Sequence, residues 1–384
     1  MPSAIVVGAG LAGLASARLL QEKNFEVIIL EKSEQVGGRV KTDVVDGFRF
    51  DHGFQVLNPA YSEIRKLNIL SELELCHLPK GFEIELEEKN FLIGDPRESL
   101  NFLKGSFSIE TGSLLEKLAF FTFIMREPRD CAFQESMQSS GIFYRDVMKG
   151  FLDGVFLTNS DQVSSLMAHE LLRWFVRGHP GVPRLGIGEL PKALARELEI
   201  RLNCAVDKID DGIAYTDEGE ISADFIVLAT DPNTTRRFVD KASITMNPSW
   251  TWYFAVPKGA ITSNYLKVLR HDPFVNSVAI SNIAPLYAPE NETLISSTTL
   301  HKISEEQARV ALARTWGISF SDIRYLQRYE IAESLPFHGP GKALKTAQQI
   351  SEKVFLAGDS YSIPAQQGAL QSGRLAAEMI IARR

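Results

Sequence analysis

The sequence predicts an α/β protein in which a Rossmann-like dinucleotide-binding domain is joined to a second, α+β domain holding an antiparallel sheet and helices. Three observations predict it. An apolar run from Ala4 to Val7 leads at once into three glycines, Gly8, Gly10 and Gly13. A second apolar run, Phe25 to Leu30, ends at an acid, Glu31, about twenty residues beyond the loop, as a ribose-binding carboxylate does. The middle of the chain then alternates apolar and polar residues in several short stretches, the period of half-buried strands.

Ile and Val are stiff at χ1 and fill a sheet covered on both faces, so residues 4 to 7 read as a buried strand. Gly8 allows the strand-to-helix turn, Gly10 lets the backbone approach a pyrophosphate, and Gly13 lets the helix pack close to the strand. The helix runs from Leu11 to about Lys23. Its first residues, Leu11 and Ala12, bring the positive end of the helix to the phosphates. Lys32 follows Glu31 at the ribose end. The loop leaves NAD and FAD both open.

The next residues, Gln35-Val36-Gly37-Gly38-Arg39-Val40-Lys41-Thr42, resemble the second glycine motif, RxGGRxxS/T, of the FAD-dependent amine oxidase superfamily. That group includes monoamine and polyamine oxidases, protoporphyrinogen oxidase and phytoene desaturase. Gln35 stands where the family usually has arginine, which leaves more of the work to Arg39 if that arginine serves the pyrophosphate.

After Thr42, the Asp46-Gly47 turn signal between alternating residues predicts a hairpin. Asp51-His52-Gly53 resembles the family's DxG element, which implies that Gly53 and Phe54 lie against the flavin ring. His52 is a candidate catalytic residue; the alternative is a histidine packed beside the ring or turned to solvent. Residues 81 to 96 predict another hairpin, and 12 of the 23 phenylalanines fall between Phe82 and Phe175. That segment either builds its own core or lines a channel for a hydrophobic substrate. Its helix from Leu114 to Met125 is apolar nearly all round, which predicts burial, with contact at a membrane surface as the alternative.

At Gly181 the chain returns to the nucleotide domain. A helix from about Leu190 to Glu199 and a strand through Val206 resemble the family segment whose valine offers its backbone to the adenine, and Val206 is the matching residue. A β-meander and a buried strand ending near Ala229 follow. The stretches SWTWYFAVP, SVAISNIAP and TLISSTTL then predict three antiparallel strands. Trp250 and Trp252 share one face, either a substrate-cavity wall or core. Ser304 caps a helix after them. The run RYEIAESLPFHGPGKA resembles the family segment that approaches the flavin, which makes Tyr329 and His338 further catalytic candidates.

The closing VFLAGDSYSIPAQQGALQSGRLAAEMI resembles the family's last motif. By that likeness Gly358 and Asp359 meet the ribityl or phosphate region, and Gln367, Gly368 and Ala369 open a helix facing the pyrimidine end of the flavin. Gly373, Ala376 and Ala377 keep the helix slim against the first one.

The resemblance implies non-covalent FAD in a GR2-type domain built from residues 1–80, 181–231 and 341–384. It implies a substrate domain from residues 81–180 and 232–340. The family's chemistry is hydride removal from a C–N or C–C bond to flavin N5, with oxygen or a quinone as acceptor. A phytoene desaturase-like or protoporphyrinogen oxidase-like reaction on a hydrophobic small molecule is favoured over a polar amine oxidase. A redox-neutral isomerase and a catalytically silent flavin-binding protein are the alternatives.

A length of 384 residues exceeds one ordinary core and fits two domains. A net charge of −7 argues against nucleic acid as a partner. Cys76, Cys131 and Cys204 form no CxxC pair, so reduced buried thiols are expected, with no metal site. The nucleotide strand begins at Ala4, and the longest apolar stretch is far below the roughly 20 residues that span a bilayer. A cytoplasmic protein is expected, with peripheral membrane contact left open.

Overall fold

Six strands form the sheet beneath the glycine loop, in the order Gln348–Gln349, Val354–Leu356, Phe225–Leu228, Ser3–Val7, Glu26–Leu30 and Glu199–Arg201. All pairings are parallel except that of the edge strand Gln348–Gln349. The central strand is fully buried from Ala4 to Val7 because helices cover one face and a three-stranded meander, residues 206–222, lies against the other. This computed structural model describes residues 1–240, 243–270, 272–344 and 348–383.

The first helix, Leu11–Glu22, and the last, Gln366–Ile381, pack side by side on this sheet. Small residues set their spacing. A Cβ on Gly13 would lie 2.0 Å from the Gly8 carbonyl oxygen, and one on Gly373 would lie 2.1 Å from that of Ala12. Neither backbone atom can move aside.

A seven-stranded sheet stands beyond it, in the order Arg324–Pro336, Met246–Pro257, Glu292–Thr299, Phe274–Val278, Leu266–Val268, Gly81–Leu86 and Lys89–Gly94. The hairpin 81–94 thus joins strands that lie far beyond it in sequence; Gly81–Leu86 pairs in parallel with Leu266–Val268. SVAISNIAP is a strand only to Val278, after which Ile280–Ile283 is a helical turn. Trp252 packs with Phe254, Ile295 and the helix Glu305–Trp316, with Trp250 against the same cluster. The tryptophan face is therefore core. The Ser304 cap forms a capping box with Gln307.

Most of the phenylalanines between 82 and 175 also turn inward. Phe82, Phe91, Phe120, Phe123, Phe133, Phe143 and Phe156 share one core cluster with the helix Ser165–Arg177. The segment builds its own core. The helix Leu114–Met125 departs from expectation: only Lys117, Phe120, Phe123 and Ile124 are buried, and five large apolar residues face solvent. The expected helix to Glu199 ends at Ala195, since Glu197 takes a positive φ and Glu199 begins a strand beside Glu26–Leu30. Of the three thiols only Cys204 is buried.

Candidate active site

The glycine loop sits where the first strand meets its helix, and its backbone is arranged to receive an anion. The amide of Leu14 bonds to the Gly10 carbonyl at 2.9 Å, and no side chain caps the helix. The amides of Leu11, Ala12 and Gly13 are thus left to a ligand or water at the positive end of the helix. No acid occupies the first turn. Gly10 has an ordinary φ of −74° and a Cβ built on it meets nothing within 4 Å. Neither conformation nor packing within the chain asks for glycine there, whereas an approaching phosphate does.

Glu31 is buried beside this loop. It accepts hydrogen bonds from the amides of Ala9 at 2.7 Å and Ser33 at 2.9 Å. Each carboxylate oxygen has capacity left for a hydroxyl. Lys32 is exposed next to it, and Val206 opens the meander and packs near Cys204 and Ile5.

The second glycine motif lies directly on the first. The amide of Gly37 donates to the Ala9 carbonyl at 2.8 Å, and a Cβ on Gly38 would stand 3.3 Å from the Cα of Gly10. Gln35 has no hydrogen bond among the described residues and lines a side cavity of about 220 Å³ with Thr42, Gly188 and Lys192. Arg39 carries the contacts instead. It donates to Oδ1 of Asp359 at 2.5 Å and to the Ser334 carbonyl at 2.8 Å, which ties three distant segments to one guanidinium. Asp359 is buried and follows Gly358.

The C-terminal helix offers a second uncapped N-terminus, again with no acid in its first turn. It begins one residue earlier than expected, at Gln366. The Ala369 amide is already given to the Ala365 carbonyl at 3.0 Å, so the free set is Gln366, Gln367 and Gly368. The side chain of Gln367 is spent within the fold, accepting from the Glu63 amide and donating to Ser62. Gly368 is needed for packing, since a Cβ would lie 1.8 Å from the Ile363 carbonyl oxygen. Gln366 is the residue that reaches toward Gln55, and its Oε1 is buried with no partner. Two bare helix ends, an open Gly10 and an orphaned amide oxygen fit a long, anionic dinucleotide with a polar ring.

Gly53 belongs to the same neighbourhood; the atoms nearest to a Cβ there would be those of Ile331 and Gln55. Gln55 donates to the carbonyls of Arg39 and His52. His52 shares a 2.9 Å bond with Asp43, and Tyr329 donates to the same carboxylate oxygen at 2.6 Å. The His52 and Tyr329 rings are 4.3 Å apart. His338 stands elsewhere: it is buried near Lys342, and no described hydrogen bond or ring contact joins it to this cluster. Phe54 is partly buried against the Phe50 and Tyr253 cluster.

Sequence reasoning passed over Asp43, Gln55 and Gln366. Asp43 was accessible: the turn at Asp46-Gly47 pairs Thr42 with Asp51, which makes Asp43 and His52 diagonal neighbours on one face. The glutamines gave no signal, because their roles depend on contacts between segments about 310 residues apart.

Asp51 is the buried carboxyl beneath the site. It accepts from Thr42, the Ile187 amide and Tyr287, yet burial outweighs these bonds and pushes it up to about 6. A carboxyl raised in the folded state contributes stability that is whole below about pH 4 and is lost as the pH climbs through about 6. The loss amounts to about 3 kcal/mol. Urea unfolding of the wild type and Asp51→Asn across this range checks it: the wild type loses that amount relative to the variant, whereas parallel curves would remove the effect.

The chain is 26% identical over 346 residues to polyamine oxidase 3 of Oryza sativa subsp. japonica, covering 83% of this chain and 64% of that enzyme. It thus spans less than two thirds of that relative's length. Over 107 residues, 24% of this chain and 22% of the relative, it is 42% identical to a 1-hydroxycarotenoid 3,4-desaturase of Flavobacterium sp.. In fold it is similar to the cyclohexylamine oxidase of Brevibacterium oxydans, with a TM-score of 0.73, 16% identity and coverage of 100% and 99% of the two chains. The family described as flavin containing amine oxidoreductase matches residues 11–255, more than half of the sequence. With its two glycine motifs stacked on one another and its closing helix bared toward them, the chain belongs to the flavin-containing amine oxidoreductase family, and the dinucleotide it is built for is FAD.

Proposed function

We propose that this protein is an FAD-dependent oxidoreductase acting on a hydrophobic small molecule. The observation that carries the proposal is the meeting of three distant segments around Gly10: Gly38 against its Cα, and Arg39 bridging to Asp359. The cofactor domain comprises residues 1–80, 181–231 and 341–384, and the substrate domain residues 81–180 and 232–340. Sheet membership supports that division, since every strand of the six-stranded sheet falls in the first set and every strand of the seven-stranded sheet in the second.

Bound FAD supplies the hydride-accepting chemistry, with oxygen or a quinone as the onward acceptor. The chain orients and shields it. The amides of Leu11 to Gly13 hold the pyrophosphate, Glu31 the ribose, and the N-terminus of the last helix offsets negative charge at the ring. Beside Gly53 stand Phe54, Tyr253, Tyr329 and Ile331, and the nearby carboxylates are engaged: Asp43 by His52 and Tyr329, Asp51 by three donors. That the described carboxylates beside Gly53 are both engaged supports an apolar substrate over a cationic one. The likeness to a polyamine oxidase across most of this chain favours the second reading, an amine substrate.

Anaerobic bleaching of the purified yellow protein separates the two. A polyene or porphyrinogen is expected to discharge the flavin colour. Bleaching by polyamines alone would replace the apolar reading with the amine one, and a protein that never retains flavin would overturn both.

A further inference from the structure

The helix Leu114–Met125 is built with its polarity reversed. Its two charged residues are both committed to backbone: Lys117 is buried and donates to the Ser108 carbonyl at 2.7 Å, while Glu116 takes the amides of Ser113 and Ile142. Leu114, Leu115, Leu118, Phe121 and Met125 recur on the opposite face and are exposed, Leu115 by 78% and Met125 by 82%. The chain leading into this helix continues the pattern, with Leu100, Leu103, Phe107 and Ile109 all exposed. Lys117 ties that loop to the helix, so internal polar bonds hold the apolar side chains outward.

We propose that this surface docks in the interface of a lipid bilayer carrying anionic headgroups. Thr122 is the one polar side chain on the exposed stripe, and its hydroxyl is already given to the Leu118 carbonyl at 2.8 Å. The stripe therefore offers a partner no hydrogen-bond donor and only the spare lone pairs of one hydroxyl, whereas a protein interface carries about one hydrogen bond per 100–200 Å². Hydrocarbon asks for none. Lys104, between Leu103 and Phe107, and Arg126 and Arg129, after Met125, have no ion pair among the described residues and suit anionic headgroups. Acids nearby are mostly occupied: Glu110 is paired with Lys89, Glu116 accepts from two backbone amides and Asp130 accepts from Ser164 and Gly341, which leaves Glu127 beside Arg126. No helix among the described residues is long and apolar enough to cross a membrane, so the contact is a surface one.

Co-sedimentation of the full-length, FAD-loaded protein with phosphatidylcholine vesicles, with and without phosphatidylglycerol, tests this. Binding is expected, tighter with phosphatidylglycerol and weakened by salt. Replacing Leu115→Glu and Phe121→Glu together is expected to weaken it roughly tenfold or more, with flavin absorbance and melting temperature unchanged because both side chains are exposed. Wild-type protein left in the supernatant with both vesicles would overturn the proposal, as would a double variant that sediments like the wild type. Concentration-dependent dimers abolished by the same variant, without vesicle binding, would assign the face to a second copy instead. Vesicle binding is read without turnover, so its failure is separate from that of the substrate reading.

Discussion

Gly10→Leu is expected to give a folded protein that purifies without colour. A Cβ built on Gly10 has no protein atom within 4 Å and the φ of −74° suits any residue, so the new side chain leaves the glycine loop without strain at its base. It does occupy the approach to the bare amides of Leu11, Ala12 and Gly13, where the pyrophosphate must come within hydrogen-bond distance of backbone. FAD affinity is expected to fall by on the order of a hundredfold, about 2.8 kcal/mol, measured by flavin titration against circular dichroism as a check on folding. Gly13→Ala supplies the contrast. There a Cβ would sit 2.0 Å from the Gly8 carbonyl oxygen, and the expected loss is of the fold itself. A Gly10→Leu protein as yellow as the wild type would remove the pyrophosphate from this loop.

Arg39→Ala is expected to cost both stability and cofactor. Asp359 keeps only 7% of its side chain at solvent, so removing the guanidinium leaves a buried carboxylate without its 2.5 Å partner. The Ser334 carbonyl loses its donor in the same step. Breaking a buried pair costs about 3–5 kcal/mol; Arg39 is 35% exposed, which argues for the lower end. Urea unfolding of the flavin-free variant measures that cost. Flavin titration then reads a further loss, because the same residue pins the two glycine motifs to the closing one. Arg39→Lys keeps the charge without the fork and is expected to recover part of the stability. Unchanged unfolding in Arg39→Ala would show that the pair is not what joins these segments.

Much of the cofactor side was legible because its signals are local. Gly8, Gly10 and Gly13 mark a turn, a close approach and a helix contact within six residues, and Gly373 announces a slim helix by composition alone. The hairpins at 42–51 and 81–94 followed from turn residues between alternating runs. The substrate side was harder. A helix apolar on every face carries no hydrophobic direction of its own, so the inward turn of Lys117 and the outward turn of Leu115 and Phe121 could not be read from residues 114–125. Neighbouring residues hid their roles in the same way: of Gln366 and Gln367, one reaches Gln55 and the other bonds to Ser62 and Glu63.

The sequence by itself determined the nucleotide-binding fold and the family, since both rest on short-range spacing that backbone geometry enforces. Only the tertiary structure decided which side chains meet. Arg39 reaches Asp359 across 320 positions, and Asp43 collects Tyr329 across 286. Such pairs form when sheets and helices pack, and the energy that selects them belongs to burial and to the contacts between elements, which no single stretch of sequence contains.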